Sequence, residues 1–459
     1  MNDRRTILFI SSRSDIAGGE VYLLNVMRHL DRERFDPIVV IPGAGPFQRA
    51  LDEVRVPSVV VEAHYGWLAP PLPWYQLMST MSLRVARLRQ LIIEKNVGLV
   101  HTNSNQILEG ALAAKLSGVH HVHMAQVEFQ PNIPLYEKFS LDQASFAALM
   151  GELSAKVIAV SNQVYQTLSP PLPKEQVKLI YNGVDFHLLD SRVHNNGHSI
   201  RKELGISDHA LVITGIGRLT PDKGFDCLLE AAARVIKQEG SNARILLVGV
   251  EEDRLYTERL RKQTADLGIA SLVHFLGFRE DVSQILSETD IFVLSSRREG
   301  HPFVLLEAMG SGCAAIATRC GGVEDTVNDH ETGLLVGIED IAGMATAMTT
   351  LATDKQLRKQ IGSAARIEVR KRFDAEVSVA ALMDVYEEVL GLPRPVAGSV
   401  AVDLFLRAAH ELGTLGVKVT EVDERLRQVE HLTRWMRESL CYRSARRVNR
   451  WIRGAADEG

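Results

Sequence analysis

The sequence predicts an α/β protein built from two Rossmann-like domains in tandem, facing each other across a cleft, with a helical appendage at the C-terminus. Three observations lead there. The chain has 459 residues, more than one hydrophobic core serves. Short apolar runs alternate with longer amphipathic stretches. That rhythm stops once, at a polar segment, and then begins again.

The first series of runs is TILFIS (6–11), PIVVI (37–41), SVVVE (58–62), GLVHTN (98–103), HHVHMA (120–125) and KVIAVS (156–161). They are too apolar for one-sided strands and suit a parallel sheet covered on both faces. Between them lie helical patterns such as GEVYLLNVMRHL (19–30) and SLRVARLRQLIIEK (82–95), which gives βαβ units. The segment 182–200, rich in Asn, His, Gly and Ser, reads as the linker. The second series is LVITGIGRL (211–219), ARILLVG (243–249), VHFLG (273–277), IFVLSS (291–296), AAIATR (314–319) and GLLV (333–336). The expected division is 1–190 for the first domain, 191–372 for the second, 373–396 for a helix returning toward the first, and 397–459 for a basic helical appendage. In that appendage Val419, Val422, Leu426 and Val429 follow a heptad-like spacing, too short to establish a coiled coil. RWMRESLCYRSARRVNRWIR (434–453) reads either as a solvated helix packed on the body or as a helix lying on an anionic membrane surface.

Composition narrows the function. With 46% hydrophobic and 24% charged residues the chain is an ordinary globular protein, and a formal net charge of -5 speaks against a general nucleic-acid binder. Cys227, Cys313, Cys320 and Cys441 show no CxxC spacing and read as reduced, mostly buried thiols of a cytosolic protein. No signal peptide and no membrane span are expected, so the place is the cytoplasm, with the inner face of the cell membrane as the alternative.

The chemistry concentrates in the second domain. In REGHPFVLLEAMGSG (298–312), Glu299 follows a strand and Glu307 rides on the next helix, with Pro302 near that helix's first turn. The amides around Gly300 to Val304, Phe303 included, form a helix N-terminus suited to phosphate. GIGRLTPDKG (215–224) places Arg218 and Lys223 in one short loop after a strand. Two cations beside a helix N-terminus suggest a diphosphate. The same stretch partly spells GxGxxG, but its third position is Thr220, so a dinucleotide fingerprint is weak.

GRLTPDKGFDCLLEAA (217–232), LLVGVEEDR (246–254), FLGFREDV (275–282), DIFVLSSRREGHPFVLLEAMGSGCAAIAT (290–318) and ETGLLV (331–336) together resemble the donor domain of the retaining glycosyltransferases of family 4, which have the GT-B fold. The EX7E pattern of Glu299 and Glu307 is the most specific mark, and the resemblance covers about 1–390. It implies that Arg218 and Lys223 hold the donor diphosphate, that Glu307 hydrogen-bonds the nucleotide ribose, and that Glu299 lies by the transferred sugar. It also implies that backbone groups near Gly277 and Phe278 meet the base.

The first domain is similar to the acceptor half of that family through AGGEVYLLNVM (17–27), HTNS (101–104), HHVHMAQ (120–126), AVSNQV (159–164) and IYNGVD (180–185). The family commonly spells the first of these GGxE. Here Glu20 directly follows Gly18 and Gly19, so the register of this acceptor or phosphate loop is shifted. Among His120, His121 and His123, strand alternation puts only His121 and His123 on one face, and no acidic or Cys partner lies nearby in sequence, so no metal is expected. The resemblance puts a histidine near the reacting sugar. His123 is the best match, with a buried structural histidine as the other reading. Trp67, Trp74 and Tyr75 in HYGWLAPPLPWYQLM (64–78) read either as core or as a greasy lip for a lipid-linked acceptor.

The expected reaction moves a sugar from a nucleotide-sugar co-substrate to a glycan or lipid-linked acceptor, in cell-surface polysaccharide or glycolipid synthesis. Cations and helix amides stabilise the leaving diphosphate, and no DxD motif occurs, so no metal or other cofactor is expected. Retention of configuration rests on the resemblance alone. A nucleotide-sugar epimerase of the same fold and a non-catalytic sugar-nucleotide-binding protein stay open. A glycoside hydrolase fits poorly, because a loop and a helix are unsuited to placing Glu299 and Glu307 across one sugar bond. Oligomeric state is open.

Overall fold

The computed structural model describes residues 4–62, 74–104, 107–127, 142–195, 199–239 and 242–454. Seven strands, β1 (Arg5–Ile10), β2 (Phe35–Ile41), β3 (Ser58–Val60), β4 (Val97–Thr102), β5 (His120–Ala125), β6 (Lys156–Ala159) and β7 (Val177–Leu179), form a first sheet in the order β3-β2-β1-β4-β5-β6-β7. Six more, β8 (Leu211–Ile216), β9 (Ala243–Val248), β10 (Val273–Gly277), β11 (Ile291–Leu294), β12 (Ala314–Thr318) and β13 (Leu334–Val336), form a second in the order β10-β9-β8-β11-β12-β13. The strand pairs are parallel. Buried on both faces, β5, β6 and β12 have no exposed residue, which is why they read as continuous apolar runs.

Each sheet reverses its winding once, between β1 and β4 and again between β8 and β11. Loops leaving the carboxyl ends of two diverging strands open a crevice there, the place where open α/β sheets bind ligands.

The chain crosses between domains twice, and the crossings are laced together. Val184 donates to the Phe373 carbonyl (2.9 Å), and Ala375 donates to Val184 (3.1 Å). Gly183 lies so close to Asp374 and Ala375 that a Cβ would overlap their backbone. The polar linker contains a helix, Phe186–Asn195, which leans on the second domain: its Asp190 accepts from Arg370 at 2.6 and 2.8 Å, and Phe186 fills the space over Gly310. Helix Ala375–Leu390 then lies on the first sheet, where the Tyr386 hydroxyl meets His101 Nδ1 at 2.8 Å. The tail is one helix, Val400–Gly454, packed on helix Trp74–Glu94. Among the described residues no helix is long and apolar enough to cross a membrane. Cys227, Cys313 and Cys320 are buried and form no disulfide among the described residues.

Candidate active site

Two loops build the second switch point. β8 runs into Arg218, a single 3-10 turn at Pro221–Lys223, and Gly224 at φ +63°, before helix Phe225–Glu239. Gly224 is required twice over: its φ is left-handed, and a Cβ would overlap the Ser295 carbonyl. Ser295 in turn donates its hydroxyl to the Lys223 carbonyl (2.9 Å). The two loops are thereby pinned to each other. β11 ends at Leu294, two residues before the sequence pattern suggests.

Across them the Lys223 Nζ donates to Glu299 Oε1 at 2.7 Å, and the Ser296 hydroxyl donates to the same oxygen at 2.6 Å. The Glu299 side chain is only 10% exposed. Arg218 pairs with Glu252 at 2.7 Å, and Arg13 of the first domain comes within 4.0 Å of the same carboxylate. Both cations expected to hold a diphosphate therefore rest on carboxylates. A diphosphate arriving at this point exchanges one set of charge-assisted bonds for another.

Helix Phe303–Ser311 begins with Pro302 in the N-cap position rather than in the first turn. The amides of Phe303 and Val304 make no protein hydrogen bond among the described residues, so a free donor pair faces the cleft. Gly300 serves differently. A Cβ there would overlap the Gln126 carbonyl at the end of β5, so this glycine is where the second domain touches the first. Glu307 keeps an accessible edge on its helix, yet burial pushes its carboxyl up to about 7, with Arg192 pulling the other way. Its carboxylate makes no hydrogen bond or ion pair among the described residues. At the end of β10, Gly277 has φ +65°, and Phe278 leaves its ring 61% exposed, a surface on which a base can stack.

The first switch point faces this one. Gly18 opens helix Gly18–His29, and the Phe303 ring lies 3.7 Å from where a Gly18 Cβ would stand, so two helix N-termini meet across the domain boundary. The Gly19 carbonyl accepts from Asn103 Nδ2 at 2.8 Å, bridging the loops after β1 and β4. Glu20 turns inward: it accepts from the Ser11 hydroxyl (2.8 Å) and the Ala17 amide (3.3 Å), and burial pushes it up to about 7. His123 is wholly enclosed, with Nε2 on the Ser104 carbonyl at 2.8 Å and no partner for Nδ1 among the described residues. Burial lowers it to about 4, so it is neutral. It stacks edge-on against His121 at 5.3 Å, on one face of β5. Burial also holds His121 neutral, between Thr102 and Ser154 hydroxyls at 2.8 and 2.9 Å. Among the described residues no group of three His, Cys, Asp or Glu is placed to hold a metal ion. Trp67 and the Trp74 side chain lie outside the described residues.

The structure thus brings Arg218, Lys223, Glu299, Gly300, Phe303, Val304, Gly18 and Gly19 to one crevice. It sets Glu307 one helical turn further in, and it keeps His123 behind the surface. Sequence reading missed Arg13, Asn103, Gln126, Glu252 and Ser296. Arg13 and Asn103 carried a signal, each standing just past a strand's carboxyl end. Gln126, directly past β5, carried the same signal, whereas Glu252 carried none, since its role depends on how the loop after β9 folds back onto Arg218.

The sequence profile of Glycosyl transferases group 1 matches residues 198–368, and that of Glycosyltransferase Family 4 matches 16–188. The N-acetyl-alpha-D-glucosaminyl L-malate synthase of Bacillus anthracis is 30% identical over 240 residues, 52% of this chain and 61% of that protein, so the match spans about three-fifths of that relative. The UDP-Gal:alpha-D-GlcNAc-diphosphoundecaprenol alpha-1,3-galactosyltransferase of Escherichia coli is 26% identical over 82% of this chain and 95% of its own. The crystal structure of Anabaena HepE in complex with UDP-glucose superposes with a TM-score of 0.69, at 25% identity over 83% of this chain and 99% of that one. With one profile on each domain, and the paired Rossmann-like sheets between them, the chain belongs to the GT-B glycosyltransferases of family 4.

Proposed function

We propose that the chain transfers a hexose from a nucleoside-diphosphate sugar to an acceptor hydroxyl, with retention of configuration and without a metal. What carries this reading is the Lys223–Glu299 pair at the second switch point, 2.7 Å long and flanked by the free amides of Phe303 and Val304. A cation, a helix N-terminus and a carboxylate converge there. The first two suit a leaving diphosphate and the third suits sugar hydroxyls. Arg218, partly exposed, adds a second positive charge. These groups supply the stabilisation a divalent ion would otherwise give.

In the step, the bond from the anomeric carbon to the diphosphate oxygen breaks and the bond to the acceptor oxygen forms. The diphosphate leaves with the electron pair, and the acceptor proton passes to a departing phosphate oxygen. Glu299 holds the sugar hydroxyls, Glu307 accepts from the ribose, the loop at Gly277 and Phe278 meets the base, and Gly18 and Gly19 present the first domain's helix N-terminus. His123, buried and neutral, holds the Ser104 loop at the rim of the acceptor side. A UDP-hexose is the favoured donor, because the Escherichia coli relative is named for UDP-Gal and HepE was crystallised with UDP-glucose. A lipid-linked or glycan acceptor of cell-surface polysaccharide or glycolipid synthesis is in line with the Escherichia coli relative, which is named for a diphosphoundecaprenol-linked sugar.

Calorimetric titration with UDP-glucose, UDP-galactose, UDP-N-acetylglucosamine and GDP-mannose tests the donor. One of them is expected to bind without added divalent ion, and Arg218→Ala to weaken it roughly 10- to 100-fold, the worth of one charge-assisted contact. Unchanged affinity in Arg218→Ala places the diphosphate elsewhere.

A further inference from the structure

The tail helix Val400–Gly454 has two apolar faces. One carries Val402, Leu406, Ala409, Gly413 and Gly416 and packs on helix Trp74–Glu94. Gly413 meets the backbone at Tyr75 and Ser79, and Gly416 meets the Tyr75 side chain, so any Cβ there would overlap the neighbouring helix. The other face consists of Leu412, Leu415, Val419, Val422, Leu426 and Val429, 44–59% exposed. Their spacing is 3-4-3-4-3. At the helical rotation of about 100° per residue, this seam points roughly 130° away from the face on helix Trp74–Glu94. From Glu421 to Val429 every residue is exposed, so the helix has left the body of the protein.

This spacing assigns Leu412, Val419 and Leu426 to heptad position a, and Leu415, Val422 and Val429 to position d. The flanking positions then follow. Position g holds Glu411, Lys418 and Arg425, and position e holds Gly416, Asp423 and Glu430. In a parallel, in-register pair of helices, g meets e of the next heptad on the partner. Lys418 then faces Asp423, and Arg425 faces Glu430. In an antiparallel pair that overlaps the whole seam, e meets e, acid on acid, and g meets g, where Glu411 opposite Arg425 attracts but Lys418 opposite Lys418 repels. The flanks therefore favour one arrangement.

A membrane is a poor occupant for this seam. Between Glu411 and Glu430 stand five acids (Glu411, Glu421, Asp423, Glu424, Glu430) against three bases (Lys418, Arg425, Arg427), and an anionic surface repels that surplus. In sequence the register continues through Thr433, Met436 and Leu440.

We propose that the tail is a dimerisation device: the seam from Leu412 to Val429 closes against the same seam of a second copy as a parallel, two-stranded coiled coil. The bodies hang outward, because helix Trp74–Glu94 lies on a different face. The arginine-rich ends at 434–453 are brought side by side, so two weak basic segments act as one.

Sedimentation velocity of the full chain tests this. The wild type is expected to be a dimer at micromolar concentration. Val419→Lys with Leu426→Lys is expected to be a monomer that keeps its circular dichroism and its nucleotide affinity. Lys418→Glu with Arg425→Glu is expected to weaken the dimer, and adding Asp423→Lys with Glu430→Lys to restore it. In a Cys441→Ser background, Val422→Cys is expected to cross-link between copies on oxidation, which fixes the parallel register. A wild type that stays monomeric, a dimer that survives Val419→Lys with Leu426→Lys, or failure of the cross-link overturns the proposal. Seam variants that leave the sedimentation unchanged but abolish binding to phosphatidylglycerol vesicles overturn it too, and give this face to a membrane.

Discussion

At the switch point between β1 and β4, polar groups are buried and answer one another: Glu20 to Ser11 and Ala17, Asn103 to the Gly19 carbonyl, His123 to the Ser104 carbonyl. At the one between β8 and β11 they are charged, partly accessible and held in pairs a ligand can open: Lys223 with Glu299, Arg218 with Glu252. The topology is the same and the furnishing is opposite. The first site shapes backbone. It points the start of helix Gly18–His29 at the cleft and offers few side chains of its own. The second site supplies charge. A GT-B enzyme has to do both, since a leaving diphosphate needs cations in place while an acceptor needs a formed surface that excludes water.

The sharpest way to break this contrast is at Glu299. Glu299→Ala removes the proposed sugar contact and also frees Lys223 from its 2.7 Å partner. Transfer is expected to fall about 10²- to 10³-fold, while affinity for the free nucleoside diphosphate stays level or tightens. Initial rates and calorimetry on the same variant separate the two effects. A variant that loses nucleotide affinity and turnover together would mean that Glu299 shapes the pocket rather than acting on the sugar.

The corresponding acid of the first site is expected to report on folding instead. Glu20 is 2% exposed, and burial raises it from 4.5 to about 7. A carboxyl raised on folding stabilises below its unfolded value, and that stabilisation is lost as pH rises through the folded one. Wild-type stability relative to Glu20→Gln is therefore expected to fall by about 2–3 kcal/mol between pH 5 and pH 8. Thermal or denaturant unfolding of the two proteins at both pH values measures it. A constant difference would show that folding does not shift Glu20 and would remove the claim that burial raises it.

The same contrast explains what the sequence made legible. Both sheets were readable because β5, β6 and β12, buried on two faces, leave unbroken apolar runs. The second site was readable because its chemistry lies within two short loops, with Arg218, Lys223, Glu299 and Glu307 all in local motifs. The first site was not, because its bonds run between distant segments. Asn103 reaches back 84 residues to Gly19, and Gly300 is small on account of Gln126 in the other domain. The helix inside the linker was hidden for a related reason. Phe186 and Asp190 look unremarkable in a polar stretch, and their helix is held by Gly310 and Arg370, far along the chain. The seam in the tail was visible only as four residues, until the structure showed Leu412 and Leu415 on the same exposed stripe.

The smallest effect is the most discriminating, since two carboxyls, one in each site, titrate near the same pH. Burial raises Glu307 to about 7 as it does Glu20. If Glu307 accepts from ribose hydroxyls it must be ionised to accept from both, so donor binding and proton binding compete there. Affinity for a UDP-hexose, whose diphosphate is fully ionised throughout, is expected to rise up to about 10-fold from pH 6 to pH 8, the range over which a group near 7 loses its proton. His123 contributes nothing to this slope, because burial keeps it near 4 and neutral across the range. Glu307→Gln is expected to flatten the profile, and Glu20→Gln to leave it intact, because Glu20 is bonded within the first domain to Ser11 and Ala17. Calorimetry of the three proteins across that range decides between the sites. If the slope survives in Glu307→Gln and disappears in Glu20→Gln, the ionisation that governs the donor lies in the acceptor half, and the division of labour between the two switch points is reversed.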